Sequence, residues 1–195
     1  MSKEDWIKNP VHKVLQDQNL WPFAQDEIQT VLDVACGLAL KSKFLEPCMI
    51  LGVDVYEPYL KAIKADIPYA VIKYDVRKLD DLFLDDSFDV VYAIDILEHL
   101  EKNESIQLIA SCKRIARKAV VIETPNGPVP QNLDIQGFGG HQYQTHRCSW
   151  DVSGLKKMNF RCVVRPYKMQ DVKRHTEQDV DPNIELIDGI YYKEK

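Results

Sequence analysis

Four aspartates recur along the first half of the chain at nearly one interval. Asp33, Asp54, Asp75 and Asp95 are separated by 21, 21 and 20 residues, and each lies at or just after the end of a short apolar run. A carboxylate placed at such a run end can accept charge-assisted hydrogen bonds from hydroxyl or amine groups of a ligand, each worth about 1.5–3 kcal/mol. Aspartate is also common simply because strands meet loops and helix starts there. The shared register of all four favours the ligand reading. The acid after the second run is the most informative, because in mononucleotide-binding sheets that position holds the two ribose hydroxyls. Asp54 is therefore the candidate nucleoside contact. Such a crowd of acids needs polar or cationic partners.

The elements that must position these acids follow from the hydrophobic pattern. Val31–Ala35, Met49–Val55, Tyr69–Tyr74, Phe88–Ile94 and Ala119–Glu123 read as buried strands. Between them lie helical patterns: Leu38–Glu46, one opened by Glu57-Pro58 with Leu60 and Ile63 inward, a short one over Leu79–Leu84, and one capped by Asn103 and running to about Arg117, with Ile106, Ile109, Cys112 and Ile115/Ala116 at helical spacing. Strands apolar on both faces and separated by helices predict an α/β, doubly wound, mostly parallel sheet. Its carboxyl edge, where the four acids fall, is where such sheets bind ligands. A helix over Ser149–Met158 and late strands at Arg161–Arg165 and Leu186–Tyr192 complete the pattern. At the start, residues 1–25 read as a helical segment with Pro10 in its first turn and Val11, Val14 and Leu15 inward. The 195 residues are expected to form a single domain.

The first turn reads Asp33-Val34-Ala35-Cys36-Gly37-Leu38-Ala39-Leu40. Gly37 permits a tight turn and close approach of a ligand to backbone. The G-x-G-x-x-G fingerprint is not met, since Ala39 and Leu40 stand where later glycines would be, and this argues against a nicotinamide cofactor. Of only eight glycines, four (Gly127, Gly137, Gly139, Gly140) fall within residues 125–148, with three of the ten prolines and two of the five histidines. That stretch is too long for a mere connector. His141, His146 and Cys148 in it match no standard zinc spacing and lack a fourth ligand, so no metal is expected.

The net charge of −5 argues against non-specific nucleic-acid binding. The basic stretches around Lys113-Arg114 and Lys173-Arg174-His175 read as solvated faces, and the aromatics Trp6, Trp21 and Phe23 as packing. No apolar run is long enough for a membrane span, and the first residues lack a signal-peptide layout. Five cysteines without a C-x-x-C pair point to a reducing, cytoplasmic setting.

The segments VLDVACG (31–37), GVDVYEPYLKAI (52–63), YDV (74–76), FDVVYAIDILEHL (88–100) and VVIETPNG (120–127) together resemble the class I S-adenosylmethionine-dependent methyltransferases, in that family's order and spacing. The resemblance implies a Rossmann-like sheet of seven strands in the order 3-2-1-4-5-7-6 with strand seven antiparallel. It implies that Asp33, Ala35 and Gly37 line the methionine end of the cofactor, that Asp54 holds the ribose, and that Tyr56 flanks the adenosine. Asp75 would meet the adenine amino group and Val76 its ring, Ala93 would offer its carbonyl to the methionine ammonium, and Asp95 would stand between cofactor and substrate. The expected reaction is methyl transfer to a small-molecule or glycan-type acceptor, yielding S-adenosylhomocysteine.

For a hydroxyl or amine acceptor the protein must supply orientation and a proton acceptor, and histidine suits neutral pH. His99 in Leu97-Glu98-His99-Leu100, and His141 and His146 in the 125–148 loop, are the candidates. Pro-Asn-Gly followed by H-x-x-x-W (His146, Trp150) resembles a branch in which this loop covers the acceptor. The alternative is that His146 and Trp150 only pin the following helix. A second alternative for the whole chain is a non-catalytic binding module with weak or lost cofactor affinity, favoured by Ala39-Leu40.

Overall fold

The structure is a computed structural model that describes residues 10–40, 49–64, 69–167 and 184–193. Seven strands form one sheet: β1 Thr30–Val34, β2 Met49–Asp54, β3 Tyr69–Lys73, β4 Phe88–Ile94, β5 Ala116–Pro125, β6 Arg161–Pro166 and β7 Glu185–Tyr192. Their order is β3-β2-β1-β4-β5-β7-β6. The first five pair in parallel, and β7 runs antiparallel to both β5 and β6. This is the topology expected from the resemblance.

The doubly apolar strands explain the layers. Leu32, Val34, Val91, Ala93, Val120 and Ile122 share one face with the inner stripe of α4 (Lys102–Ile115) and with Leu155 of α6 (Val152–Lys157). The alternate residues Val31, Val90, Tyr92, Ala119 and Val121 turn to the other face, against Val11 and Leu15 of α1 (Pro10–Asp17). Every residue of β4 is buried. Each such aliphatic side chain contributes about 1.5–3 kcal/mol by leaving water. Beyond β5, Arg165 lies between two buried carboxylates, Glu123 and Asp188, and locks the antiparallel end of the sheet. Among the described residues no helix is long and apolar enough to cross a membrane.

Several boundaries differ from the sequence expectation. Helix α4 starts at Lys102, because Glu101 and Glu104 form a reciprocal capping box; Asn103 is inside the helix. Its buried stripe runs through Ser105, Leu108, Ile109, Cys112 and Ile115, which leaves Ile106 exposed. In α2 (Glu57–Ala62) Tyr59 is the buried residue, while Leu60 and Ile63 are only half-buried. Strand β5 extends to Pro125, so its end delivers the chain directly to the 125–148 loop. Of the helix expected over Leu38–Glu46, residues 38–40 are turn-like and the remainder lies outside the described residues, as do Trp6 and the Lys173-Arg174-His175 stretch.

One packing detail ties the sheet to the first turn. The Tyr69 side chain of β3 crosses β2 above Gly52, and its hydroxyl donates to the Asp33 carboxylate of β1 at 2.5 Å. A Cβ at position 52 would lie 2.7 Å from Cys36 Sγ and 2.8 Å from the Tyr69 ring. Gly52→Ala is therefore expected to lower stability by about 1–3 kcal/mol through overpacking. Denaturant unfolding should show a lower midpoint at an unchanged slope; an unchanged midpoint would contradict this packing.

Candidate functional site

The carboxyl edge of the sheet is organised around Asp54, the last residue of β2. One carboxylate oxygen accepts the Gly37 N–H at 2.9 Å, and the other accepts the Tyr56 N–H at 2.7 Å. Asp54 is buried, which raises its carboxyl above the ordinary range, and these backbone donors work against that rise. The bonds clamp the turn after β1 onto the end of β2. Within that turn Ala35, Gly37 and Ala39 all adopt left-handed backbone, with φ of 55°, 52° and 56°. Two alanines thus hold a path that costs a residue with a Cβ about 1–2 kcal/mol. A Cβ at Gly37 would meet nothing within 4 Å, so the turn faces open space beside Asp54.

The other edge acids also have partners. Asp33 is buried under the Tyr69 hydroxyl. Asp75 caps the turn of Val76–Lys78 through the Arg77 N–H and pairs with the Arg77 guanidinium at 2.6 Å, which holds its carboxyl below the usual range. Val76 is buried beside it, and Ala93 is buried near the end of β4 between Val34 and Ile122. Asp95, one residue past β4, is exposed and left-handed at φ 50°, and its N–H donates to the Glu123 carbonyl.

The 125–148 loop is held over this edge by a residue that sequence reasoning missed. Asp134 is buried and its carboxylate accepts from the backbone N–H groups of Gln136, Phe138 and Gly140 and from the Tyr59 hydroxyl of α2. The Tyr56 hydroxyl donates to the Phe138 carbonyl at 2.5 Å, and its ring packs on Gly140. Tyr56 therefore links the carboxyl edge of the sheet to the loop. His141, at the start of α5 (His141–Gln144), accepts the Asp134 N–H on Nδ1 at 2.8 Å. That bond lets His141 brace the loop.

His99 and His146 are brought together. Their rings meet edge-on with centroids 4.8 Å apart, although 46 residues lie between them in the chain. The loop reaches this point because the Glu98 carbonyl accepts the N–H groups of Arg147 and Cys148, and Arg147 reaches back to the His99 carbonyl. His146 Nδ1 bonds to the Val129 carbonyl, and His99 Nδ1 faces the Thr145 carbonyl at 3.4 Å. Burial holds both imidazoles below their ordinary pKa. Beside them the buried Glu98 accepts from the Thr124 hydroxyl at 2.9 Å, and burial together with the charge of Asp95 pushes its carboxyl up to about 7. Ligand-type atoms of Glu98, His99 and His146 all lie within 4.8 Å of one another. Cys148, considered with His141 and His146 from spacing, instead donates to the Leu97 carbonyl. Trp150 packs in the core beneath the Lys102 ammonium, and its carbonyl accepts the Gly127 N–H.

Asp134 gives this arrangement a pH signature. Burial alone would raise its carboxyl, but the Tyr59 hydroxyl and the backbone donors outweigh it and hold the group below the usual range. Its contribution to stability is present above the unfolded carboxylate value of about 4 and is lost as pH falls through the lower folded value. Asp134→Ala should cost about 2–3 kcal/mol at pH 7 and open residues 135–147 to limited proteolysis. A resistant loop in that variant would contradict the role.

Comparison with known proteins agrees with this architecture. Residues 32–122 match the family described as a methyltransferase domain. No curated protein sequence matches the chain. Among solved structures it is similar to a SAM-dependent methyltransferase from Archaeoglobus fulgidus, at 18% identity and a TM-score of 0.60, with 94% of each chain covered. It is also similar to the 1,6-didemethyltoxoflavin-N1-methyltransferase of Burkholderia thailandensis (13% identity, TM-score 0.61, 96% of this chain and 78% of that one). A third is the magnesium protoporphyrin IX methyltransferase of Synechocystis (14% identity, TM-score 0.56, 94% of this chain and 77% of that one). Residues 32–122 therefore match a methyltransferase domain, and the fold is the one shared with S-adenosylmethionine-dependent methyltransferases.

Proposed function

We propose that the protein transfers a methyl group from S-adenosylmethionine to an oxygen or nitrogen of a small-molecule acceptor bound between the end of β4 and the 125–148 loop. The observation that carries this reading is the meeting of His99 and His146 at that end of the sheet. Two of the similar structures are methyltransferases named for magnesium protoporphyrin IX and for 1,6-didemethyltoxoflavin, which supports an acceptor of this kind.

Asp54 would hold the ribose with the lone pairs left over from its backbone bonds, since a carboxylate offers about four acceptor sites. Tyr56 would flank the adenosine, and Asp75 and Val76 would border the adenine. Asp33, Ala35 and Gly37 would line the methionine end, Ala93 would present its carbonyl to the ammonium, and Asp95 would face both ligands. When bound, the cofactor supplies a methyl already activated on sulfonium sulfur. What the chain adds is orientation and the exclusion of water by the loop. The imidazoles of His99 and His146 border the place of the acceptor, and Glu98 with Thr124 fixes the turn that carries His99.

Calorimetry tests the reading. S-adenosylmethionine and S-adenosylhomocysteine are expected to bind, and NAD is not. Asp54→Asn should weaken nucleoside binding by roughly tenfold or more, about 1.4 kcal/mol per decade. Absence of binding to the folded wild-type protein would overturn the reading. Binding without turnover on any acceptor would favour a non-catalytic module.

A further inference from the structure

We infer that Glu98, His99 and His146 form a binding site for a divalent first-row transition cation, which would hold an oxygen of the acceptor in its open positions. This rests on the methyl-transfer reading for the identity of the open face, but not for the cation site itself. The three side chains come from two elements, the turn Leu97–His99 after β4 and the end of the 125–148 loop.

The donor set is two imidazoles and one carboxylate. That combination suits first-row divalent ions and leaves coordination positions for water or substrate. The ligand atoms already lie within 4.8 Å of one another. Bonds of about 2.0–2.2 Å require ligand atoms roughly 3–3.5 Å apart, so small side-chain rotations would close the site.

The surroundings are those of a prepared site. Ligating histidines generally turn their second ring nitrogen to a carbonyl or carboxylate, and ligating carboxylates are themselves hydrogen-bonded. Here His146 Nδ1 bonds to the Val129 carbonyl and His99 Nδ1 faces the Thr145 carbonyl, which leaves Nε2 of each ring with the lone pair. Glu98 is steadied by the Thr124 hydroxyl. The carboxylate is buried, and among the described residues no lysine or arginine pairs with it; the nearby Arg147 guanidinium is spent on the carbonyls of His99, Gln142 and Thr145. Asp95, three residues before Glu98, is a second carboxylate at this end of β4. A cation would meet both demands.

The cation would bind the acceptor through an oxygen and lower the pKa of a bound hydroxyl, whose proton leaves to solvent. That oxygen then forms the bond to carbon as the carbon–sulfur bond breaks, and the neutral thioether departs. In this arrangement the two imidazoles position and acidify the acceptor and do not themselves take its proton.

The test uses the full chain stripped with a chelator and titrated with Co2+, read by equilibrium dialysis and by the visible bands of the bound ion. One equivalent is expected to bind. His99→Ala, His146→Gln and Glu98→Gln should each weaken binding by more than the roughly 10–100-fold typical of an outer partner, and Thr124→Val by roughly tenfold. His146 lies on the loop and is only half-buried, so its variant carries the test if Glu98→Gln fails to fold. Failure of Co2+ to bind the folded protein, or binding that survives these ligand substitutions, would overturn the site. S-adenosylhomocysteine calorimetry on the same stripped samples separates the two readings. Nucleoside binding without cation binding removes only the cation site, and cation binding without nucleoside binding removes only the methyltransferase reading.

Discussion

The arrangement of the ligand edge depends on one buried carboxylate. Asp54 joins the ends of β1 and β2 by accepting Gly37 N–H and Tyr56 N–H. Those bonds help to hold a turn in which three alternate residues, 35, 37 and 39, are left-handed, two of them alanine. Burial makes the ionised acid costly, and backbone dipoles offset that cost. The lone pairs that remain on the Asp54 carboxylate are thereby oriented by the same bonds that shape the turn. Tyr56 then extends the constraint outward, because its N–H is tied to Asp54 and its hydroxyl to the loop.

The loop is a second, self-contained device. Asp134 collects three backbone donors and the Tyr59 hydroxyl, and His141 accepts the Asp134 N–H. At its far end the Glu98 carbonyl captures Arg147 and Cys148. The glycine-rich segment is therefore fixed at both ends, at α2 and at the turn after β4. This is how two histidines distant in sequence come to share one place.

Much of this was legible before any coordinates. The apolar runs with intervening helical patterns led to the parallel sheet, and the 20–21-residue spacing put Asp54, Asp75 and Asp95 at one edge. The motif segments supplied the strand order, including the antiparallel β7. Other features were not legible for physical reasons. Tyr69 reaching Asp33 over Gly52 is a cross-strand contact that no local pattern encodes. Asp134 looks like any loop acid until four donors converge on it. Glu98 sits in plain view within Leu-Glu-His-Leu, yet the loop that bonds to it returns only 49 residues later, at Arg147. The exposed Ile106 and the cap at Glu101 show that helical periodicity locates a stripe only to within a residue or two.

The central claim is that nucleoside binding, the first turn and the loop form one connected unit through Asp54 and Tyr56. Hydrogen–deuterium exchange with and without S-adenosylhomocysteine tests it most directly. The account predicts added protection at residues 35–39, 54–56, 75–76 and 93–95, and with them at 134–146. Protection confined to other segments, or a turn protected while the loop exchanges unchanged, would contradict it.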